Sequence, residues 1–324
     1  NPLVVNTGTA ALDCGGFRAE FSHFTANVTQ TAPPRPKPVV TYAPCDVQGT
    51  ATVRDTATGF FHLKQQDGRW WLITPRGEGF YALGTDHANY HAHWCEKLGY
   101  APYHKNCVAK YNDDEEAWAR STRDRLQAWN FNALGCGWSK GMKGKGLPRC
   151  EFAGFGSGFA GVDDIAPKVH WTGFPNVFSP KWPIYCDKRA KSYCGSFKDD
   201  PWVIGTFLDN ELEWYGKNGK PWGLFDETMK KPAGHTAKAA ALAFLQARYP
   251  TIAALNAAWK TRLPSWQAVR ESTALDSSTE QADRDRLDFV RLIADKYFTV
   301  TNAAMKKYDP HHLNLGCRFA GRMP

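Results

Sequence analysis

The chain has 324 residues, 43% of them hydrophobic, which bounds it to one large folded domain or two ordinary ones and excludes disorder as its default. No run of 18 apolar residues occurs, so the sequence offers no membrane-spanning helix. A formal net charge of +8 would suit nucleic acid or an acidic polymer, yet Lys and Arg are scattered. Their densest group, at 140–145, reads as a solvated loop, and nucleic acid is set aside as a partner.

The chain begins at Asn1 and runs at once into strand-like sequence at Leu3-Val-Val5, so it reads as a mature or trimmed product. Residues 1–31 are expected to end a β-rich accessory domain, 32–58 to form a Pro-rich linker, and 59–324 to hold the main domain. Nine cysteines and the acceptor triplet Asn27-Val-Thr29 favour an oxidising compartment and hence secretion. Cys136 and Cys317 sit in apolar runs and read as buried thiols. Cys95/Cys107 and Cys186/Cys194 are spaced so that a local disulfide could bridge each, with connectivity open.

Strands are expected at 60–64 and 70–74, joined through Asp67-Gly68, a pair that accepts the positive φ of a hairpin turn, with a third at 79–84. Acidic first-turn residues predict a helix over 112–129, capped by Asn112 or Asp113. The run 131–138 has no alternation, the pattern of a strand covered on both faces. Residues 139–178 resist a regular reading and are expected to line a cleft. A helix is expected after Ser179-Pro180, then a buried strand at 202–208, helices at 235–249, 252–259 and 278–308, and a last strand at 313–319.

Chemistry concentrates at Phe207-Leu-Asp-Asn-Glu211. Glycoside hydrolysis needs a protonated carboxylic acid beside the leaving oxygen, and a Glu at the mouth of an apolar strand is partly desolvated, which favours the protonated form. Asn210 beside it can hydrogen-bond a sugar hydroxyl. The 13 Trp and 12 Tyr suit sugar stacking as well as packing, and Trp138 and Trp214 are the candidate platforms. The group His91, His93, Cys95, His104 and Cys107 has ligand types for zinc, but its spacing fits no common zinc module, so neither metal nor cofactor is expected.

The stretch "PWVIGTFLDNELEW" resembles the acid/base strand of clan A glycoside hydrolases, in which Asn-Glu closes the fourth barrel strand. "ARYPTIAALNAAWKTRLPSWQAV" is similar to the following segment of family 42 β-galactosidases and family 50 agarases, and "GRWWLITPRGEGFYALGTDH" to agarase-like entry strands. The likeness covers residues 59–324 and implies an α/β fold, a (β/α)8 TIM-barrel-type catalytic domain preceded by a small β region. It implies Glu211 as the general acid/base of a retaining enzyme and Asn210 as its sugar-binding neighbour. Asp86 and His87 would follow strand one, Trp138 strand two and Arg318 strand five, all facing a cleft at the carboxyl rim.

The substrate implied is a β-linked, galactose-containing polysaccharide or oligosaccharide. A non-catalytic carbohydrate-binding or extracellular structural protein on the same scaffold is the alternative. Counting strands at 79–85, 131–137, somewhere in 160–172, 202–208 and 313–319 gives five of the eight a closed barrel needs. No carboxylate follows Asp309, so the nucleophile and remaining strands are expected from a further polypeptide.

Overall fold

A computed structural model describes residues 10–14, 17–21 and 41–320 of the chain. Two units are compact in themselves, 1–41 and 42–324. Of the first, strands β1 (Ala10–Cys14) and β2 (Phe17–Phe21) are described and pair antiparallel. Asn27-Val-Thr29 and the prolines at 33–38 lie outside the described residues.

The second unit opens on a four-stranded antiparallel sheet of β3 (Thr50–Arg54), β4 (His62–Gln66), β5 (Arg69–Ile73) and β6 (Glu78–Phe80), in the order β3-β6-β5-β4. Of the span read as linker, residues 50–54 form β3. Thr50-Ala-Thr-Val-Arg54 is β-branched enough to pair, and it does so with Glu78 and Gly79. The expected hairpin forms, with Gln66 opposite Arg69 and both Asp67 (φ 53) and Gly68 (φ 72) in the left-handed region. The expected strand at 79–84 divides: β6 stays in this sheet, and β7 (Gly84–Thr85) starts another.

That second sheet is parallel. After β7 come α1 (Pro102–Tyr111) and α2 (Glu115–Ala128), then β8 (Ala133–Leu134) and β9 (Arg149–Phe152). Asp114 caps α2, one residue beyond the candidates read from sequence, because Asn112 instead ends α1 in the left-handed conformation. A short helix α3 (Phe155–Phe159) and the antiparallel pair β10 (Asp164–Ala166) and β11 (Phe174–Pro175) follow, then α4 (Lys181–Ser192) and β12 (Val203–Phe207). The third parallel strand is thus β9, and 160–172 lies in the hairpin outside the sheet.

Beyond β12 the chain makes β13 (Asp209–Asn210), then five helices: α5 (Gly223–Lys230), α6 (Thr236–Arg248), α7 (Ile252–Trp259), α8 (Trp266–Glu271) and α9 (Glu280–Tyr308). It returns through β14 (Leu313–Asn314) and β15 (Cys317–Arg318). The parallel order is β7-β8-β9-β12-β14, so each strand lies beside its predecessor in the sequence, and β13 pairs with β15 in the same sense. Sequential neighbours joined through helices make a mixed α/β architecture.

Two apolar clusters decide where a site can open. Phe61 and Phe80 of the antiparallel layer pack with Ala133 and Ile204, which lie at the amino ends of β8 and β12. The amino end of the sheet is thereby filled, and the carboxyl end is left open. The largest cluster joins α4, α6, α7 and α9 to the sheet, with Trp182, Trp259, Phe289 and Tyr297 buried.

Candidate active site at the carboxyl rim

The carboxyl ends of all five parallel strands meet at one cavity of about 520 Å³. His87 reaches it after β7, Cys136 and Gly137 after β8, Phe152 at the end of β9, Asn210 in β13 and Arg318 in β15. Lys168, His170 and Trp171 close it from the loop between β10 and β11. The expectation that the 139–178 region lines a cleft falls on these residues, although the sequence did not single them out. A His-Trp pair in a Gly- and Pro-rich loop was the available signal.

The rim is wired from strand to strand. Asp86 accepts from the Cys136 amide at 2.6 Å through Oδ1 and from Arg318 Nη1 at 2.9 Å through Oδ2. Arg318 Nε donates to Asn210 Oδ1 at 2.8 Å, so one guanidinium bridges the ends of the first and fourth strands from its place on the fifth. A planar fork with several fixed donors suits that task. With Oδ1 turned to Arg318, the Asn210 amide nitrogen is the group left to donate to a ligand.

Glu211 follows with φ 53, its amide donating to Arg318 O at 2.9 Å. The left-handed turn ends the strand and carries the half-buried side chain to the cavity's margin, where Oε2 accepts from Trp171 Nε1 at 2.9 Å. Glu213, two residues on, turns away. Its amide donates to Gly173 O, and its carboxylate pairs with Lys217 at 2.8 Å. Asp209 is fully buried beneath the rim, accepting from the amides of Gly156 and Ser157 and from the Tyr297 hydroxyl. Burial holds its carboxyl above the ordinary Asp range, and those donors oppose the shift.

His87 adopts φ 58, with its amide donating to Cys136 O at 2.8 Å. Its ring is seated against Gly137, where a Cβ would come within 2.9 Å of Nδ1, so glycine is required for that approach. Burial pushes the thiol of Cys136, on the cavity wall, up to about 11, which disfavours its thiolate form.

Two sequence candidates stand elsewhere. Trp138 Nε1 donates to Cys150 O at 3.0 Å and its ring lies under the Arg149 guanidinium, so the indole is committed to packing and does not line the cavity. Trp214 is buried, with its ring stacked on Phe298 at 5.8 Å and edge-on to Phe174 and Tyr297. It sits past the tight turn after Glu211, which points it into the helical core.

The expected cysteine pairs are not formed. Cys95, Cys107, Cys186 and Cys194 are free thiols, and Cys186 and Cys194 are buried in the core behind α4. Cys136 and Cys317 are buried and free, as expected. Among the described residues no group of His, Cys, Asp and Glu is arranged to hold a metal ion, and no helix is long and apolar enough to cross a membrane.

No protein-family model matches the chain. By sequence it is 26% identical to Beta-agarase B of Vibrio sp. (strain JT0107), over 81% of this chain and 34% of that protein. Beta-agarase A of the same organism is 24% identical over 85% of this chain and 33% of its own length. The chain thus spans about a third of the curated relatives it matches. Among solved structures, that of an agarase, AgWH50C, superimposes with a TM-score of 0.71 at 24% identity, covering 84% of this chain and 47% of its own. An exo-beta-agarase gives 0.68 at 22% identity, over 87% of this chain and 49% of its own. The resemblance read from the sequence therefore holds: in sequence and in fold the chain is similar to agarase-like glycoside hydrolases.

Proposed function

We propose that this chain carries the acid/base side of a retaining glycoside hydrolase site acting on a β-linked, galactose-containing polysaccharide of the agarose type. The observation that carries the reading is the pair Asn210-Glu211 at the carboxyl end of the fourth parallel strand, beside a cavity that draws on all five strands. The similarity to two beta-agarases supports the substrate class.

In this reading Glu211 gives its proton to the leaving glycosidic oxygen and later removes one from the attacking water. Asn210 holds a sugar hydroxyl near the reacting carbon, and Arg318 keeps its amide oriented. Asp86 fixes Arg318 in turn, and His87 and Arg318 supply polar contacts from the wall. Trp138 and Trp214 shape the protein behind the cavity rather than stacking on sugar. Retention requires a second carboxylate about 5–5.5 Å from the first, across the sugar ring. Glu213 is committed to Lys217 and Asp209 is buried with its own donors, so neither is offered for that task. Secretion fits a polymeric substrate that cannot enter a cell.

Glu211→Gln in the full natural protein is the test. On agarose kcat/KM should fall by about 10²–10⁴-fold, and by much less on an aryl glycoside whose leaving group needs no proton, since kcat/KM reads the bond-breaking step that precedes water attack. Equal loss on both substrates would remove Glu211 from the acid role. Binding of agarose oligosaccharides without any turnover in the wild type would favour the carbohydrate-binding alternative.

A further inference from the structure

The pair β10 and β11 stands outside the parallel sheet, and the loop it carries, 167–173, overhangs the rim cavity. The loop is narrow at its base. Gly173 has φ +123, and a Cβ there would lie 2.7 Å from the Lys168 Cα, so only glycine lets the returning backbone pass. Its tip is a tight turn, with both the amide and the hydroxyl of Thr172 donating to Val169 O. The Glu213 amide donates to Gly173 O at 3.0 Å, which ties the loop to the segment holding Glu211.

Trp171 is 60% exposed at this tip, yet its Nε1 donates to Glu211 Oε2 at 2.9 Å. An indole has a single donor and no acceptor, so it occupies one carboxylate oxygen and leaves the other free. The charged groups around it on the cavity wall are Lys168 and His170 from the same loop and His87 and Arg318 from the strands. Among the described residues none of these donates to the Glu211 carboxylate, which accepts from Trp171. The ring itself lines the cavity, so one side chain both aims the acid and faces the ligand space.

We propose that Trp171 is a positioning residue for Glu211: its N–H fixes the carboxyl so that Oε1 faces the leaving oxygen, while its exposed ring packs on the sugar beside it. The inference rests on the acid/base reading of Glu211. The two parts of the indole then separate experimentally, because phenylalanine keeps a ring and loses the donor, whereas alanine loses both.

The test uses the full natural protein with an agarose-derived tetrasaccharide and an aryl β-galactoside bearing a good leaving group. Trp171→Phe should lower kcat on the tetrasaccharide on the order of tenfold with KM near wild type, and leave kcat/KM on the aryl substrate within about twofold. Trp171→Ala should add a rise in KM of about tenfold, matched by weaker tetrasaccharide binding in a fluorescence titration. A Phe variant that loses activity equally on both substrates, or on neither, overturns the positioning role. An Ala variant that binds the tetrasaccharide as wild type overturns the stacking role. Full hydrolysis by Glu211→Gln overturns the acid/base reading and this inference with it, whereas the other outcomes leave that reading intact.

Discussion

Asp209 shows how a single buried residue ties the rim to the elements beneath it. It lies one position before Asn210, and its buried carboxylate collects the first amides of α3 and the hydroxyl of Tyr297 on α9. Gly156 permits this approach, since a Cβ there would lie 2.9 Å from Asp209 Oδ2. Within the acidic cluster at the strand end the sequence singled out Glu211 but did not show that Asp209 points inward. The split of Asp209 inward, Glu211 to the rim and Glu213 to Lys217 depends on a left-handed turn at Glu211 that no propensity predicts. Because burial raises the Asp209 carboxyl, the stability it contributes is full below the ordinary Asp range and is lost as pH rises through the raised value. The Tyr297 hydroxyl offsets that loss by donating to the ionised form. Tyr297→Phe should therefore destabilise by about 1–3 kcal/mol. Its penalty should be larger at about pH 8 than at about pH 4, on either side of the ordinary to raised range. Thermal melts at the two pH values check this, and an equal penalty at both would show that the hydroxyl does not act through the carboxylate.

At the scale of elements, legibility followed burial pattern. The long helix α9 was readable because Phe289, Val290, Ile293, Tyr297, Ala304 and Met305 repeat on one buried face, and Thr279 caps it with a bond to the Ala282 amide. The strand β12 was readable as an unbroken apolar run. The third parallel strand was not, because Arg149-Cys-Glu-Phe152 places two charges where a covered strand should be apolar. Both are buried: Arg149 pairs with Glu151 at 3.1 Å and with Asp200 at 2.7 Å, and Tyr193 donates to Glu151 at 3.0 Å. The partners come from the end of α4 and the turn before β12, so the compensation is visible only once the chain is folded. Burial pushes the Glu151 carboxyl up, while Arg149 opposes that shift. Asp200→Ala should leave the guanidinium half-paired in the core and cost about 3 kcal/mol, the lower part of the range for a broken buried pair because Glu151 remains. Urea unfolding would show this as a lower midpoint at unchanged slope. A midpoint equal to wild type would mean that the pair adds nothing to stability.

For the whole molecule, the layout assigns opposite duties to the two ends of the parallel sheet. Phe61 and Phe80 fill the amino end from the antiparallel layer, and the carboxyl end keeps the cavity. The net charge of +8 has to be weighed against that layout. At the rim, Arg318 is paired with Asp86 at 2.9 Å and Glu211 brings a carboxyl of its own, which leaves Lys168 as the further cation of the cavity wall. Elsewhere Arg248 is paired with Asp285 and Asp288 and Lys307 with Asp187, so these basic groups are not free to draw an anion. A neutral galactan should therefore bind through hydrogen bonds and ring contacts, which salt screens little. An acidic galactan would instead be drawn by the scattered surface Lys and Arg, whose attraction weakens as the screening length shrinks from about 10 Å at 0.1 M to about 3 Å at 1 M salt. The expected result is that affinity for an agarose-derived tetrasaccharide changes by less than about twofold across that salt range, while any affinity for a sulfated counterpart falls steeply. Calorimetric titrations of both ligands at the two ionic strengths make the comparison. Steep salt dependence for the neutral ligand would show that the basic surface, rather than the rim cavity, is where the polysaccharide is held.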